Sequence, residues 1–191
     1  MQEFDTSPSL RNGIFDLLSS AKMASDANVK LLDFTIELFK DNGLFSDYYG
    51  YHNIDHELEV TYVTLLSGIH ALEENYLTLD DLNYLYAAAL LHDFDPEKAM
   101  DKPHEKNVIQ FISKNKTIQK LLAEANLDHN LVCALISRTV YPWKGDIITT
   151  TDKLINTYFS KSKIKNDKKQ QEHFRVLGHF LSVADRIGGY S

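Results

Sequence analysis

His92 and Asp93 are adjacent residues whose side chains can both bind a divalent metal ion. They follow an apolar run at residues 84–91, where an unpaired imidazole or carboxylate would be costly to bury. The pair therefore indicates a functional site, although a His-Asp pair on its own also occurs by chance in many proteins.

Two other parts of the chain carry the same kind of side chain. The sequence YHNIDH at residues 51–56 places His52 and His56 four positions apart, on one face if the segment is helical. Asp185 is an acid within the largely apolar run at residues 180–187. Side chains in the order His, His-Asp, Asp along the chain can form one metal site if three helices converge.

Such a site predicts hydrolysis of a phosphoester. A divalent ion held by two imidazoles and two carboxylates keeps positions open for water, and it lowers the pKa of a bound water by several units. The ion also attracts a phosphate oxygen and offsets charge in the transition state. An alkoxide leaving group needs a proton, which His52, just before His56, is placed to donate. Arg138 offers planar donors that suit phosphate oxygens, or it is a surface arginine at a helix end.

Helices must position these residues, and the hydrophobic spacing predicts helices along the chain and no strand. Capping residues, glycines and prolines give their approximate boundaries. One predicted helix has Asp26 as its cap and stops at Asn42-Gly43, and the others lie at residues 53–74, 78–93, 104–115, 117–125, 130–139, 152–160 and 171–187. The predicted fold class is all-α.

The helix at residues 53–74 is predicted to turn His56 inward. His56 shares one stripe with Val60, Val63 and Leu66 at helical spacing. A histidine on an apolar stripe suits a metal ligand.

The next helix is predicted to end at the His-Asp pair. Thr78 and Asp81 are spaced as a capping box at its start, and Pro96 prevents its regular continuation. The pair His92-Asp93 should therefore sit at a helix C-terminus.

The composition is that of an ordinary soluble globular protein. The chain has 191 residues, 43% hydrophobic and 25% charged, and we expect a single domain whose core spans about residues 26–191. A net charge of −7 argues against general binding of nucleic acids or anionic membranes. The single cysteine, Cys133, allows no disulfide framework and is expected in the core. The chain shows no membrane-spanning run and no leader, so we expect a cytoplasmic location.

Two segments have alternative interpretations. Residues 161–171 contain five lysines and are predicted to form a mobile, solvated loop, or else a lid that attracts phosphate. Trp143 is predicted to be a packing anchor, although its ring could also stack on a nucleobase.

The histidine motif and the His-Asp pair resemble the HD superfamily of metal-dependent phosphohydrolases, and the resemblance covers residues 51–185. It implies an all-α bundle with a metal site between central helices. The motif at residues 51–56 is similar to the signature of class I cyclic-nucleotide phosphodiesterases, whose first histidine protonates the leaving oxygen. That similarity implies that His52 is the general acid and that Asp93 belongs to the catalytic machinery. The implied metal ligands are His56, His92, Asp93 and Asp185.

The chain also differs from some members of that superfamily. A phosphodiesterase has a further histidine shortly after the pair, where this chain has Pro96-Glu97. His104 looks like the third histidine of dinuclear members and is predicted to bind the substrate or a second ion, or else to cap a helix. Arg138 and Thr139 stand where dinuclear members have another histidine, which argues against two complete metal sites.

Together these patterns predict hydrolysis of a phosphomonoester or phosphodiester of a nucleotide or another small phosphorylated metabolite. The predicted cofactor is one divalent ion of Mn, Mg, Fe, Co, Ni or Zn, with a second ion left open. The alternatives are an HD-type diiron oxygenase and a non-catalytic HD module for signalling or sensing. Substrate identity and oligomeric state stay open.

Overall fold

The computed structural model of the protein describes residues 7–45, 52–96 and 105–188. Within these ranges the chain forms nine helices and no strand, which confirms the predicted all-α fold. The helices are α1 (Ser7–Ser20), α2 (Asp26–Asp41), α3 (Ile54–Glu73), α4 (Leu79–Ala89), α5 (Glu105–Lys114), α6 (Lys116–Glu124), α7 (His129–Ser137), α8 (Asp146–Lys161) and α9 (Lys168–Gly188).

Capping side chains explain where several helices start. The Ser25 hydroxyl accepts a hydrogen bond from the first turn of α2, so the cap is Ser25 and the predicted cap, Asp26, is the first residue of the helix. Thr78 and Asp81 form the predicted capping box of α4. Local sequence therefore sets these boundaries.

One cluster of buried apolar side chains includes residues from all nine helices. α3 and α4 approach closely because Gly68 has no side chain, and a Cβ there would collide with the side chain of Leu82. α9 packs against α3, α4 and α7. This packing brings together the parts of the chain that carry the predicted metal ligands.

The core begins earlier in the chain than residue 26. Ile14 and Leu18 of α1 are fully buried, and α1 packs on α3 with Gly13 against the ring of Tyr62. The sequence of α1 contains Gly13 and has no acidic first turn or basic last turn, so its helical signal is weak. Tertiary packing on α3 compensates for that weak local preference.

The connection between α8 and α9, residues 162–167, contributes to the core. Ile164 is 8% exposed, and the carboxylate of Asp128 accepts a hydrogen bond of 2.8 Å from the backbone N–H of Lys163. The side-chain amide of Gln171 donates to the carbonyl oxygen of Ile164 at 3.0 Å. The segment therefore does bury an apolar side chain, whereas its predicted mobility stays a prediction.

Several helices differ in detail from the predictions. On α3, His56 and Val60 are buried as predicted but Leu66 is 51% exposed, because the buried face runs through positions 54, 58, 61, 65 and 68. α8 begins at Asp146, before the predicted residue 152, and α9 begins at Lys168, before the predicted residue 171, so the predicted loop at residues 161–171 is shorter than expected. Cys133 is buried as expected. None of the helices within the described residues is long and apolar enough to cross a membrane.

Candidate metal centre

The start of α3 places His56 inside the protein. Asn53 is the N-cap of α3, and its side-chain oxygen accepts a hydrogen bond of 3.1 Å from the backbone N–H of His56. The side chain of His56 is 3% exposed. His52 lies before the cap, outside the helix, in agreement with the predicted helix start at about residue 53, so the two histidines do not share one helical face. The motif is instead a loop histidine, a cap and a helical histidine.

His92 and Asp93 lie in the turn that follows α4, beyond its last residue, Ala89. Carbonyl groups in the last turn of a helix lack helical partners, and His92 uses one of them. Nδ1 of His92 lies 2.8 Å from the carbonyl oxygen of Ala89, so this nitrogen must carry the hydrogen and donate. That tautomer leaves a lone pair on Nε2, which is the form that binds a metal ion.

Glu57, which was not predicted as a site residue, connects this turn to α3. Its carboxylate is fully buried, with one oxygen 3.2 Å from Nδ1 of His92 and the other accepting a hydrogen bond of 3.3 Å from the backbone N–H of Asp93. A carboxylate beside the far nitrogen of a metal-binding histidine orients the ring and strengthens it as a ligand. Glu57 stands out little in the sequence because acids are common in the first turn of a helix.

The four predicted ligands meet at one place. One ligand atom from each of His56, His92, Asp93 and Asp185 lies within 4.8 Å of all the others. Nε2 of His56 is 3.3 Å from Oδ2 of Asp93 and 3.7 Å from Oδ1 of Asp185. Nε2 of His92 is 3.6 Å and 3.4 Å from the same two oxygens. The ligands come from α3, from the turn after α4 and from α9.

These spacings fit a shared metal ion better than direct ion pairs. Charge-assisted hydrogen bonds between nitrogen and a carboxylate are about 2.7–2.9 Å long, shorter than all four distances. Two atoms that bind one ion at about 2.0–2.2 Å lie about 2.8–3.1 Å apart at octahedral angles and about 3.3–3.6 Å apart at tetrahedral angles. Nε2 of His92 is buried and makes no hydrogen bond within the described residues, and a metal ion would satisfy it. The side chains present therefore fit a divalent ion.

The charged groups of the site shift one another's pKa. Burial raises the pKa of Glu57 above its ordinary value. Burial alone would lower the pKa of His92, but the carboxylates of Asp93 and Glu57 outweigh it and raise that pKa well above the ordinary value. Burial would raise the pKa of Asp93, but His92, His52 and His56 outweigh it and hold that pKa well below its ordinary value. A proton on His92 therefore competes with a metal ion.

His52 contacts the site through Asp93. Its Nδ1 lies 2.8 Å from Oδ2 of Asp93, and its ring packs edge-to-face on that of His56 with centroids 5.3 Å apart. The side chain of His52 is 23% exposed, whereas those of His56 and His92 are buried. His52 therefore lies at the solvent-facing edge of the ligand cluster.

Arg138, at the C-cap of α7, contacts the helix that carries Asp185. Its guanidinium donates a hydrogen bond of 3.3 Å to the hydroxyl of Ser182, three residues before Asp185 on α9. It also stacks on Trp143, 3.6 Å from the ring centroid, so this ring packs on the arginine. Burial and the positive charge of Arg186 lower the pKa of Arg138.

His104, the other residue predicted to bind the substrate, lies outside the described residues. Comparisons of the chain with protein-family models, with curated proteins and with solved structures found no match. The fold and the side-chain geometry are therefore the basis for assigning a function.

Proposed function

We propose that the protein is a metal-dependent phosphohydrolase of the HD type, which cleaves a phosphomonoester or phosphodiester of a nucleotide or another small phosphorylated metabolite. The observation that carries this proposal is the convergence of two imidazoles and two carboxylates from three separate parts of the chain. The all-α fold agrees with the same assignment. The converging residues are His56, His92, Asp93 and Asp185.

These four side chains would hold one divalent ion. When bound, the ion supplies a nucleophile by lowering the pKa of a coordinated water, and it offsets charge on a phosphate oxygen. The two negative charges of the Asp93 and Asp185 carboxylates would balance the two positive charges of the ion. His92 must release its proton from Nε2 to bind the ion, while Glu57 holds the ring through Nδ1.

His52 is the residue that we assign to protonate the leaving oxygen. Its Nδ1 contacts Asp93 at 2.8 Å, so Nε2 is the nitrogen assigned to the proton transfer. The contact also fixes the orientation of the ring, which a general acid requires. Its place at the exposed edge of the cluster suits a leaving group that departs to solvent.

Metal analysis of protein purified without chelator tests the proposal, together with assays on phosphomonoesters, cyclic and linear diesters and nucleotides in the presence of several divalent ions. One redox-inert or Mn-type ion per chain with metal-dependent hydrolysis would support it. Two irons per chain would favour the diiron oxygenase. Absence of both metal and hydrolysis would favour a non-catalytic module for signalling or sensing.

Asp93→Ala should abolish both metal binding and hydrolysis, because the Asp93 carboxylate approaches both ligand histidines. The measurements are metal content and the rate on the best ester. Asp80→Ala, which removes an exposed acid at the other end of α4, is the matched control and should behave as the wild type. An Asp93→Ala protein with full metal content and full rate would disprove the site.

A further inference from the structure

Two arginines lie together beside the candidate metal centre. Arg138 at the end of α7 and Arg186 on α9 both donate hydrogen bonds to the hydroxyl oxygen of Ser182, at 3.3 Å and 2.8 Å. Ser182 is fully buried. It lies three residues before Asp185 on α9, so its Cβ is about 5–6 Å from that of a metal ligand. The two guanidinium groups are therefore close neighbours of each other, and the serine that they share lies one helical turn from a metal ligand.

The two positive charges are not balanced by acids in contact with them. Within the described residues, neither guanidinium has a carboxylate oxygen within 4.0 Å, whereas Arg11 is paired with Asp33 and Arg175 with both Asp152 and Glu172. The Nε atom of Arg186 is also buried and has no hydrogen-bond partner among the described residues. Like charges at close range repel, and a buried donor without an acceptor is costly. An anion bound between the two groups would relieve both effects.

The surroundings hold Arg138 in place without an acid. Its guanidinium stacks on Trp143, and Nη2 donates to Nδ1 of His179 at 3.2 Å. Gly178 on α9 makes room for its stem, because a Cβ there would lie 3.0 Å from the Cβ of Arg138. Stacking covers the face of a guanidinium and leaves its N–H groups directed outward in the plane of the group.

Arg186 is held in a similar way. Its guanidinium lies 5.2 Å from the ring centroid of Tyr141, which follows α7 in the same loop as Trp143. Both arginines thus rest on aromatic rings and share one hydroxyl acceptor. The two guanidinium groups are therefore held in position as hydrogen-bond donors before an anion binds.

We propose that Arg138 and Arg186 form an anion subsite that binds the phosphate of the substrate, and that the substrate class is a phosphomonoester dianion. The inference rests on the proposed function. Asp93 and Asp185 would cancel the charge of a divalent ion, so the arginines supply the two positive charges that an incoming phosphate meets. A phosphomonoester carries about −1.5 to −2 at neutral pH and matches that charge, whereas a diester carries only one negative charge.

Calorimetric titration with inorganic phosphate tests the subsite without turnover. The titration is done at slightly alkaline pH, where phosphate is a dianion, with Mn²⁺ present. We expect Arg138→Gln and Arg186→Gln each to weaken phosphate binding about tenfold or more, because each removes a charge-assisted donor. Arg11→Gln is the matched control, since it removes one positive charge on α1 and should bind phosphate as the wild type does.

Arg186→Lys provides a second variant at the same position. It keeps the charge but loses the planar donors, so we expect phosphate affinity between those of the wild type and Arg186→Gln. Thermal unfolding of each variant shows whether the fold is kept. If Arg138→Gln, Arg186→Gln and Arg186→Lys all bind phosphate as tightly as Arg11→Gln does, the proposal is wrong.

Hydrolysis of p-nitrophenyl phosphate and of bis(p-nitrophenyl) phosphate tests the substrate class. We expect the wild type to hydrolyse the monoester faster than the diester. In Arg186→Gln the ratio of the two rates should fall about tenfold or more, because the diester carries less negative charge for the arginine to pair with. Equal losses on both esters, or a wild-type preference for the diester, would overturn the substrate class. Arginine-dependent phosphate binding without hydrolysis of any ester would support the subsite while the phosphohydrolase proposal itself fails.

Discussion

Glu57 shows how a residue outside the ligand set can determine the geometry of a metal site. It is fully buried, with one oxygen accepting a hydrogen bond from the backbone N–H of Asp93 and the other 3.2 Å from Nδ1 of His92, whose hydrogen is donated to the carbonyl oxygen of Ala89. A buried carboxylate is tolerated when it is paired in this way. Glu57 therefore holds both members of the His-Asp pair from α3.

Glu57→Gln should lower metal affinity while leaving the fold intact. The amide has the size of the carboxylate but only one acceptor oxygen, so its NH₂ group must face one of the two donors. Loss of such a supporting contact reduces metal affinity about 10–100-fold. Competition with a chelator measures the affinity, and Glu59→Gln, an exposed acid on the same helix, is the control. Unchanged affinity in Glu57→Gln would show that the carbonyl of Ala89 alone holds the ring.

His52 and His56 should differ in what their loss removes. His56→Ala should lose the metal ion, whereas His52→Ala should keep it and lose mainly turnover. A p-nitrophenolate leaves with little help from an acid, so the His52→Ala defect should be small on that ester and about 10²-fold or more on an alkyl ester. Equal defects on both esters, or metal loss in both variants, would make His52 a ligand or a structural residue.

At the level of elements, the cap of α3 connects helix formation to the metal site. The side chain of Asn53 bonds to the backbone of His56, so the first helical turn and the ligand are ordered together. The C-terminus of α4 acts similarly, because its free carbonyl at Ala89 selects the tautomer of His92. Both ligand histidines thus depend on helix ends.

Asn53→Ala should lower both stability and metal affinity. Loss of an N-cap side chain costs about 1 kcal/mol, and here the frayed turn carries His56. The matched control is Asn115→Ala, because Asn115 caps α6 through the N–H groups of Thr117 and Ile118. Denaturant unfolding should show a similar loss in the free energy of unfolding in both variants. Metal affinity should fall only in Asn53→Ala. Equal metal affinity in the two variants would contradict this role for the cap.

The elements differ in how far the sequence predicted them. α4 was predictable because its capping box and its apolar run are local patterns. α1 was not, because its burial depends on α3, which lies far along the chain. The four ligands stood out as ionisable residues at the ends or in the middle of apolar runs. Glu57 and Arg186 did not, because such charges are ordinary in the first and last turns of helices and only tertiary contacts reveal their roles.

At the level of the whole molecule, the metal centre would connect distant parts of the chain. His56 comes from α3, His92 and Asp93 follow α4, and Asp185 lies on α9. A ligand that binds only the folded state stabilises it by mass action, by about 2.7 kcal/mol at about 100 times its dissociation constant. For a chain of this size, that stabilisation raises the midpoint of thermal unfolding by about 5–11 °C.

The stabilisation by metal should grow as the pH rises. In the metal-free protein, Asp93 and Glu57 raise the pKa of His92, so its proton stabilises the fold below about pH 6.5. This contribution is lost as the pH rises through the folded-state pKa. The metal ion needs His92 without that proton, so its affinity increases over the same rise. The contribution of Asp93, whose pKa is lowered, is lost only in more acidic solution.

Thermal unfolding with and without Mn²⁺, at about pH 6 and about pH 8, measures this effect on either side of the ordinary histidine pKa. We expect the larger metal-induced shift at the higher pH. Asp185→Asn, which weakens one ligand of the cluster, should show little or no shift at either pH. An equal shift at both pH values would mean that no proton on His92 competes with the ion. A full shift in Asp185→Asn would place the ion elsewhere in the protein.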